Sequence, residues 1–303
     1  MSSQKVVHLP SNVQKRILSD IGELSKDKDL NKNGIFWHIN EEDLTKIWIV
    51  IFGNENTPYY HCPFFFKFEF GQHYPLKPPS GIFLTSNSKT RFNPNLYVDG
   101  KICLSILGTW SGPSWTPVMT IKTVIMSIIA LVMNENPLVN EPGYENSKKE
   151  SLDAYNKIVQ YRSIDYAFCD QLKNFPSHFE PIKEQVMNCA ISRFEELYKL
   201  TLQLKNKFHG EKPNPKYCGS DYLNYEQTIQ KLNEFKELHN IEFKEEIKDE
   251  VKEEVKEDVK KVKSKSPSEK ASTKQVGDVM INEGIEWEVK VNKSGKHYWS
   301  KKK

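Results

Sequence analysis

The sequence predicts an α+β fold on three observations. An amphipathic helical stretch comes first, three segments rich in aromatic and β-branched residues with short connections follow, and helical spacing returns from Lys148 onward. A helix, then a meander of strands, then helices is the order of an α+β domain rather than of alternating β-α units.

Residues 10–27, PSNVQKRILSDIGELSKD, begin with Pro10-Ser11 as a helix start and set Val13, Ile17, Leu18, Ile21 and Leu24 at helical spacing. Lys15 and Arg16 fall on the outer face of this helix, as a solvated basic surface or as a docking face. After the breaker DLNKNG, segments Ile35 to Ile39, Leu44 to Phe52 and His61 to Phe70 read as strands, and their short connections imply an antiparallel meander. Pro75, Pro78 and Pro79 form a rigid crossover into a fourth strand, Ile82 to Thr85, because proline cannot serve a central strand. Thr120 to Met133 is apolar nearly all round, which predicts a buried helix packed on the sheet, ended by the Pro/Gly-containing loop Asn134 to Tyr144.

Helical spacing recurs over Leu152 to Asn174, Ile182 to Phe208 and Tyr222 to Leu238, and these helices are expected to bury each other and one face of the first domain. Residues 244–263 repeat a Lys-acid-acid-apolar tetrad, too thin a stripe for a core, so a solvated helix or disorder is expected. Ser264 to Gln275 reads as a polar linker, and Glu286 to Lys303 as a two-stranded hairpin with a basic end. The resulting organisation is 1–147, 148–243, 244–280 and 281–303.

A net charge of +3 makes no electrostatic case for nucleic acid. The apolar run Val124 to Met133 is far shorter than the ~20 residues of a membrane helix. Cys62, Cys103, Cys169, Cys189 and Cys218 are odd in number, lack CxxC spacing and follow no apolar leader, so reduced thiols in a cytoplasmic or nuclear setting are expected. No metal-ligand pattern is present.

The cysteine with chemistry around it is Cys103. Asn93-Pro94-Asn95 is turn chemistry, Asp99-Gly100 a second turn, and a Gly/Pro/Trp loop follows, so Cys103 is expected at the mouth of a loop rather than in a core. Cys62, Cys169 and Cys189 lie within strand or helix patterns and read as small buried residues. A hydrolase would need a histidine base with an orienting group, and none lies near Cys103. Flanking amides without a base fit a thioester carrier instead, since a thiol is partly ionised near neutral pH and leaves easily.

Leu76-Lys77-Pro78-Pro79, Asn93-Pro94-Asn95, Asp99 through Leu107 and Trp115-Thr116-Pro117 together resemble the ubiquitin-conjugating enzymes, and Asn95 to Cys103 matches the family's His-Pro-Asn to cysteine spacing. The longer loop Gly108 to Pro113, the run Asn136 to Tyr144 and similarity over Tyr155 to Leu172 and Asn224 to Leu232 make the Z-type branch the best match.

The resemblance implies the UBC fold, with an N-terminal helix, a four-stranded antiparallel meander and packed helices, here with a C-terminal helical extension. It implies that Cys103 takes ubiquitin or a ubiquitin-like modifier from an activating enzyme and yields it to a lysine or a ligase. Asn95 would bond the oxyanion or hold the loop beside it. Asn136 stands where many relatives carry an acid near the incoming lysine, and hydrogen-bond positioning is its implied role. Asn93 replaces the usual histidine, with Pro94 and Trp115 supporting the loop.

Leu76, Pro117 and Val118 match ligase-facing positions, and Lys15 and Arg16 the side that meets the activating enzyme. The longer loop and the helices after 150 are expected to restrict which activating enzyme or acceptor reaches Cys103. No cofactor is implied at the site, ATP being consumed upstream by the activating enzyme. The implied partners are the modifier, the activating enzyme, ligases and protein substrates, with neither nucleic acid nor membrane among them. The alternative from another class is a non-catalytic module of the same fold that binds ubiquitin or ligases.

Overall fold

The computed structural model describes residues 9–40, 43–243, 271–282, 285–292 and 294–301. The tetrad array at 244–263 lies outside them, as does the first part of the expected linker.

Helix α1 (Ser11–Lys26) buries Val13, Ile17 and Leu24 and turns Leu18 to solvent. Leu18 therefore leaves the predicted apolar face: it stands about 100° round the helix from buried Ile17, beyond the stripe that Val13, Ile17 and Leu24 turn inward. A short turn, α2 (Asp29–Lys32), leads to Gly34 at φ +77°, where an added Cβ would stand 2.8 Å from the Phe52 Cβ. Only glycine supplies that conformation and that closeness.

Strands β1 (Ile35–Asn40), β2 (Asp43–Phe52), β3 (Pro63–Glu69) and β4 (Ser80–Phe83) form one antiparallel sheet in sequence order. Ile35 faces Ile51, Ile47 faces Phe68 and Phe66 faces Phe83 across its ladders. β4 begins two residues before its predicted start, since pairing can resume as soon as Pro78 and Pro79, which lack N–H groups, have passed. Past Phe83 the Leu84 N–H donates to the Phe65 carbonyl (2.8 Å), and the Thr85 hydroxyl accepts the Phe65 N–H (2.8 Å).

β3 is buried on both faces. Phe64 and Phe66 meet Phe83 with ring centroids 6.4 and 5.3 Å apart, and Phe64 also meets Tyr59 and Phe92. Phe65, pointing the other way as the pleat requires, meets Phe179 at 4.8 Å and Phe175 at 5.7 Å. The helical extension thus covers one face of the sheet, and each aromatic pair adds ~0.5–1.5 kcal/mol beyond its buried area.

Helix α3 (Ile121–Ser127) continues as a wider helical turn through Val132 and buries Ile121, Val124, Ile125, Ile128 and Val132. Met126 and Leu131 are exposed, so the segment is one-sided and not apolar-buried all round. The extension comprises α4 (Lys149–Arg162), a wide turn at 163–170, α5 (Gln171–Lys173), α6 (Lys183–Phe208) and α7 (Tyr225–Leu238). Phe168, Phe194 and Phe235 meet at its centre. The buried Asp165 is matched by Arg162 (2.8 Å), Lys231 (2.9 Å) and the Thr228 hydroxyl (3.1 Å), as a charge removed from water requires.

Core and extension form one compact unit ending at Ile241, and a second unit begins at Glu242. In the second unit β5 (Val279–Asn282), β6 (Ile285–Val291) and β7 (His297–Lys301) make a three-stranded antiparallel sheet. This corrects the predicted two-stranded hairpin. The reading began at Glu286 and missed the short Val-Met-Ile run, and a third strand is what an isolated hairpin needs for stability in water.

Candidate active site

The turn that leads to Cys103 is built by amides. The Asn93 carboxamide oxygen accepts the N–H of Asn95 (2.8 Å), while its nitrogen donates to the Val132 carbonyl (2.6 Å) and the Tyr59 hydroxyl oxygen (3.1 Å). Tyr59 in turn donates to the Phe92 carbonyl (2.8 Å). Asn93 is fully buried and ties the turn to the end of the α3 segment. Asn140 reinforces it by donating to the Leu131 carbonyl (2.9 Å) while accepting from the Asn134 amide (2.8 Å).

From Asn95 the chain makes a narrow loop and returns. Leu96 bridges Ile102, the Tyr97 N–H donates to the Lys101 carbonyl, and Gly100 at φ +92° closes the turn, where a Cβ would be 2.9 Å from the Phe83 carbonyl oxygen. That return brings Asn95 and Cys103 together twice. The Cys103 N–H donates to the Asn95 carbonyl (2.8 Å), and the Asn95 side-chain nitrogen donates to the Cys103 carbonyl (2.7 Å). On the other side, the Thr109 hydroxyl accepts the Leu104 N–H (2.9 Å) and donates to the Ile102 carbonyl (2.7 Å). Gly108 at φ +69° lets the chain leave the turn Ser105–Leu107, and Gly112 folds back over Ser105.

The cysteine itself is 1 % exposed, which corrects the expectation of an open mouth. Turn residues mark where a chain bends, not what lies above the bend. Here the residues beside the bend, Ile102 and Leu104, are core side chains, so the junction is sunk into the protein.

Asn136 is half-buried, and its carbonyl accepts the Val139 N–H (3.0 Å) at the start of the turn Pro137–Asn140. It lines a cleft of about 560 Å³ together with Glu55, Tyr60, Lys149, Asp153 and Asn156. Cys103 is not among the residues that line this cleft.

The remaining predicted positions divide by exposure. Leu76 (75 %) and Val118 (86 %) are exposed with Pro117, on two loops linked by the Trp115 indole N–H, which donates to the Pro75 carbonyl (2.7 Å). Pro94 is buried within the turn it supports. Lys15 is exposed, but Arg16 is not a surface cation. Its guanidinium donates to the Pro117 (2.6 Å) and Met119 (2.7 Å) carbonyls and pairs with buried Asp20 (2.7 Å). Asp20 also accepts a hydrogen bond from the Tyr74 hydroxyl, and burial together with that carboxylate pushes the Tyr74 pKa well up. Helical spacing had put Arg16 outside, since it ignores the loop that packs alongside. Sequence reasoning missed Thr109, Asn140 and Tyr59, for none of them carries a motif.

Residues 16–163 match the family model described as ubiquitin-conjugating enzyme. The chain is 37 % identical over 196 residues to human ubiquitin-conjugating enzyme E2 Z, covering 64 % of this chain and 53 % of that one. It is 41 % identical over 160 residues to the zebrafish (Danio rerio) protein of the same name, covering 52 % and 48 %. With the probable ubiquitin-conjugating enzyme protein 17 of Caenorhabditis elegans it shares 38 % identity over 181 residues, 56 % and 25 % of the two chains. The chain spans about half the length of the first of these relatives. No helix among the described residues is long and apolar enough to cross a membrane. The four-stranded meander, most of the core helices and the Asn95–Cys103 clasp all fall within residues 16–163, the stretch over which the chain is similar to the ubiquitin-conjugating enzymes.

Proposed function

We propose that this chain carries ubiquitin or a ubiquitin-like modifier as a thioester on Cys103. The sulfur attacks the thioester carbonyl presented by an activating enzyme, a C–S bond forms, and the activating enzyme's thiolate leaves. In the second step a neutral lysine amine attacks the same carbonyl, the Cys103 thiolate leaves, and the proton the amine loses as the amide forms passes to that thiolate or, through water, to solvent. Where a ligase with its own cysteine is the acceptor, the second step is another thiol exchange. A thiolate is a good leaving group at both steps, so no dedicated base is needed. ATP is consumed upstream, and no cofactor enters at Cys103.

The observation that carries this reading is the double hydrogen bond between Asn95 and Cys103. It fixes the backbone of the nucleophile and leaves the second N–H of the Asn95 amide for the oxyanion of the tetrahedral intermediate, a type of donor worth ~3–4 kcal/mol when preorganised. Asn136 serves as a positioning amide for the acceptor lysine. Leu76, Pro117 and Val118 form the apolar ligase surface. Lys15 meets the activating enzyme, with Arg16 acting through the loop it holds. Gly108 to Gly112 and the extension limit which partner approaches, and the setting is cytoplasmic or nuclear.

One observation favours a second reading. A thiol at 1 % exposure cannot accept an extended peptide tail until its surroundings move, which suits a non-catalytic module of the same fold that binds ubiquitin or ligases. Incubation with activating enzyme, ATP and ubiquitin separates the two. The carrier gives an adduct that a reducing agent removes and that Cys103→Ala abolishes, while Cys103→Ser gives a reductant-resistant oxyester. Absence of any adduct, or its persistence in Cys103→Ala, selects the binding module.

A further inference from the structure

The segment between α6 and α7 is a closed loop that reaches back to the catalytic turn. Its base is shut by the Gly210 N–H donating to the Leu223 carbonyl (3.0 Å) and the Leu223 N–H donating to the Glu211 carbonyl (2.9 Å). Lys157 and Arg162 of α4 hold its two arms through Glu211 (2.6 Å) and Asp221. At the tip stand Tyr217 and Cys218. Tyr217 has φ +59°, a conformation a residue with a Cβ keeps only when its contacts hold it there.

Those contacts go to two different loops. On one side the Arg91 guanidinium lies 5.6 Å from the centre of the Tyr217 ring and 3.8 Å from that of Tyr97. Arg91 is bound to the turn that contains Asn95, since its guanidinium donates to the Pro94 carbonyl and its own carbonyl accepts the Tyr155 hydroxyl (2.7 Å). On the other side the Tyr217 ring meets the ring of Tyr144, in the loop that follows Asn136, edge-on at 5.3 Å.

We infer that Tyr217 is a positioning residue that ties the Arg91–Asn95 turn to the Asn136–Tyr144 loop and so sets the Cys103 side of the site against the acceptor side. The inference rests on the reading of Cys103 as the thioester carrier. The supporting residue comes from the extension, outside the 16–163 match. An arginine between two aromatic faces is a planar contact that lysine does not reproduce, so the joint is specific to the side chains present.

The test uses the full chain with Tyr217→Ala, Tyr217→Phe and Arg91→Lys. The first measurement needs no ubiquitin: hydrogen–deuterium exchange on the uncharged protein. Tyr217→Ala raises exchange in both 91–103 and 136–144, leaves α4 and α6 unchanged, and Tyr217→Phe restores most of the protection. The second is single-turnover discharge of preformed thioester to free lysine. Its maximal rate falls about tenfold in Tyr217→Ala and Arg91→Lys, with lysine KM and the rate of charging within about twofold of the parent, the loss expected of a misplaced acceptor.

Unchanged exchange in either segment, a rise spread over the whole molecule, or raised exchange with unaltered discharge each overturns the inference. Failure of the parent protein to charge at all refutes the proposed function and leaves the exchange result to decide the structural joint by itself.

Discussion

Replacing Asn95 with alanine separates the two things its amide does. The change deletes one hydrogen bond of 2.7 Å to the Cys103 carbonyl and leaves the backbone bond from Cys103 to the Asn95 carbonyl in place. A neutral bond in a folded protein contributes ~1 kcal/mol net, and a carbonyl left buried without a partner costs ~1–3 kcal/mol. If holding the loop is the whole role, urea unfolding shifts by about that amount and charging and lysine discharge slow together by about tenfold or less. If the second N–H also meets the oxyanion, a further ~3–4 kcal/mol is lost from the transition state alone, a fall of ~10²–10³ in rate. The assay is charging and discharge in stopped time courses beside an unfolding curve of the same variant. Unaltered stability together with unaltered rates refutes the clasp, since a bond of that geometry cannot be removed without trace in either.

Three further outcomes follow from the contacts. Arg16→Ala leaves buried Asp20 without its ion pair and frees the Pro117 loop, so it is expected to destabilise by ~3–5 kcal/mol, read as a lower urea midpoint with unchanged slope; a loss under 1 kcal/mol would return Arg16 to the surface role. Thr109→Val removes the hydroxyl that bonds Ile102 and Leu104, costs ~1–2 kcal/mol, and raises the alkylation rate of Cys103 by a mass-shift reagent as the loop loosens.

His61 is buried with its Nε2–H directed at Glu196 (2.8 Å), and desolvation lowers its pKa below the ordinary 6.5, with the Glu196 bond opposing in part. The unfolded state therefore binds a proton that the folded state resists. Stability is retained above pH 6.5 and falls as pH drops below it toward the depressed folded value. His61→Gln reduces that slope in unfolding curves between pH 5 and 7, and an identical slope in both proteins counts against the assignment.

How much of this was legible in the chain depends on the range of the interaction. The helix at Ser11–Lys26, the first three strands and their antiparallel order follow from local periodicity and short connections, because these elements bury one face against near neighbours. β3 hid its two-sidedness: a continuous Phe-Phe-Phe run reads as apolar without saying that Phe65 serves a helix cluster more than a hundred residues on. The third strand of the terminal sheet escaped for the opposite reason, being too short to show a period.

Within the site, the motif identified Cys103, Asn95 and Asn93 and the turn between them, since spacing along the chain decides which residues a tight loop can return to each other. Whether the thiol stands open was decided by packing, and Cys103 is buried along with its neighbours Ile102 and Leu104. Arg16 was drawn inward by the Pro117 and Met119 carbonyls, and Tyr217 was brought to Arg91 by a loop closed at Gly210 and Leu223. Hydrophobic period and turn chemistry are encoded residue by residue, whereas exposure, partner choice and the joining of distant loops exist only once the chain is packed.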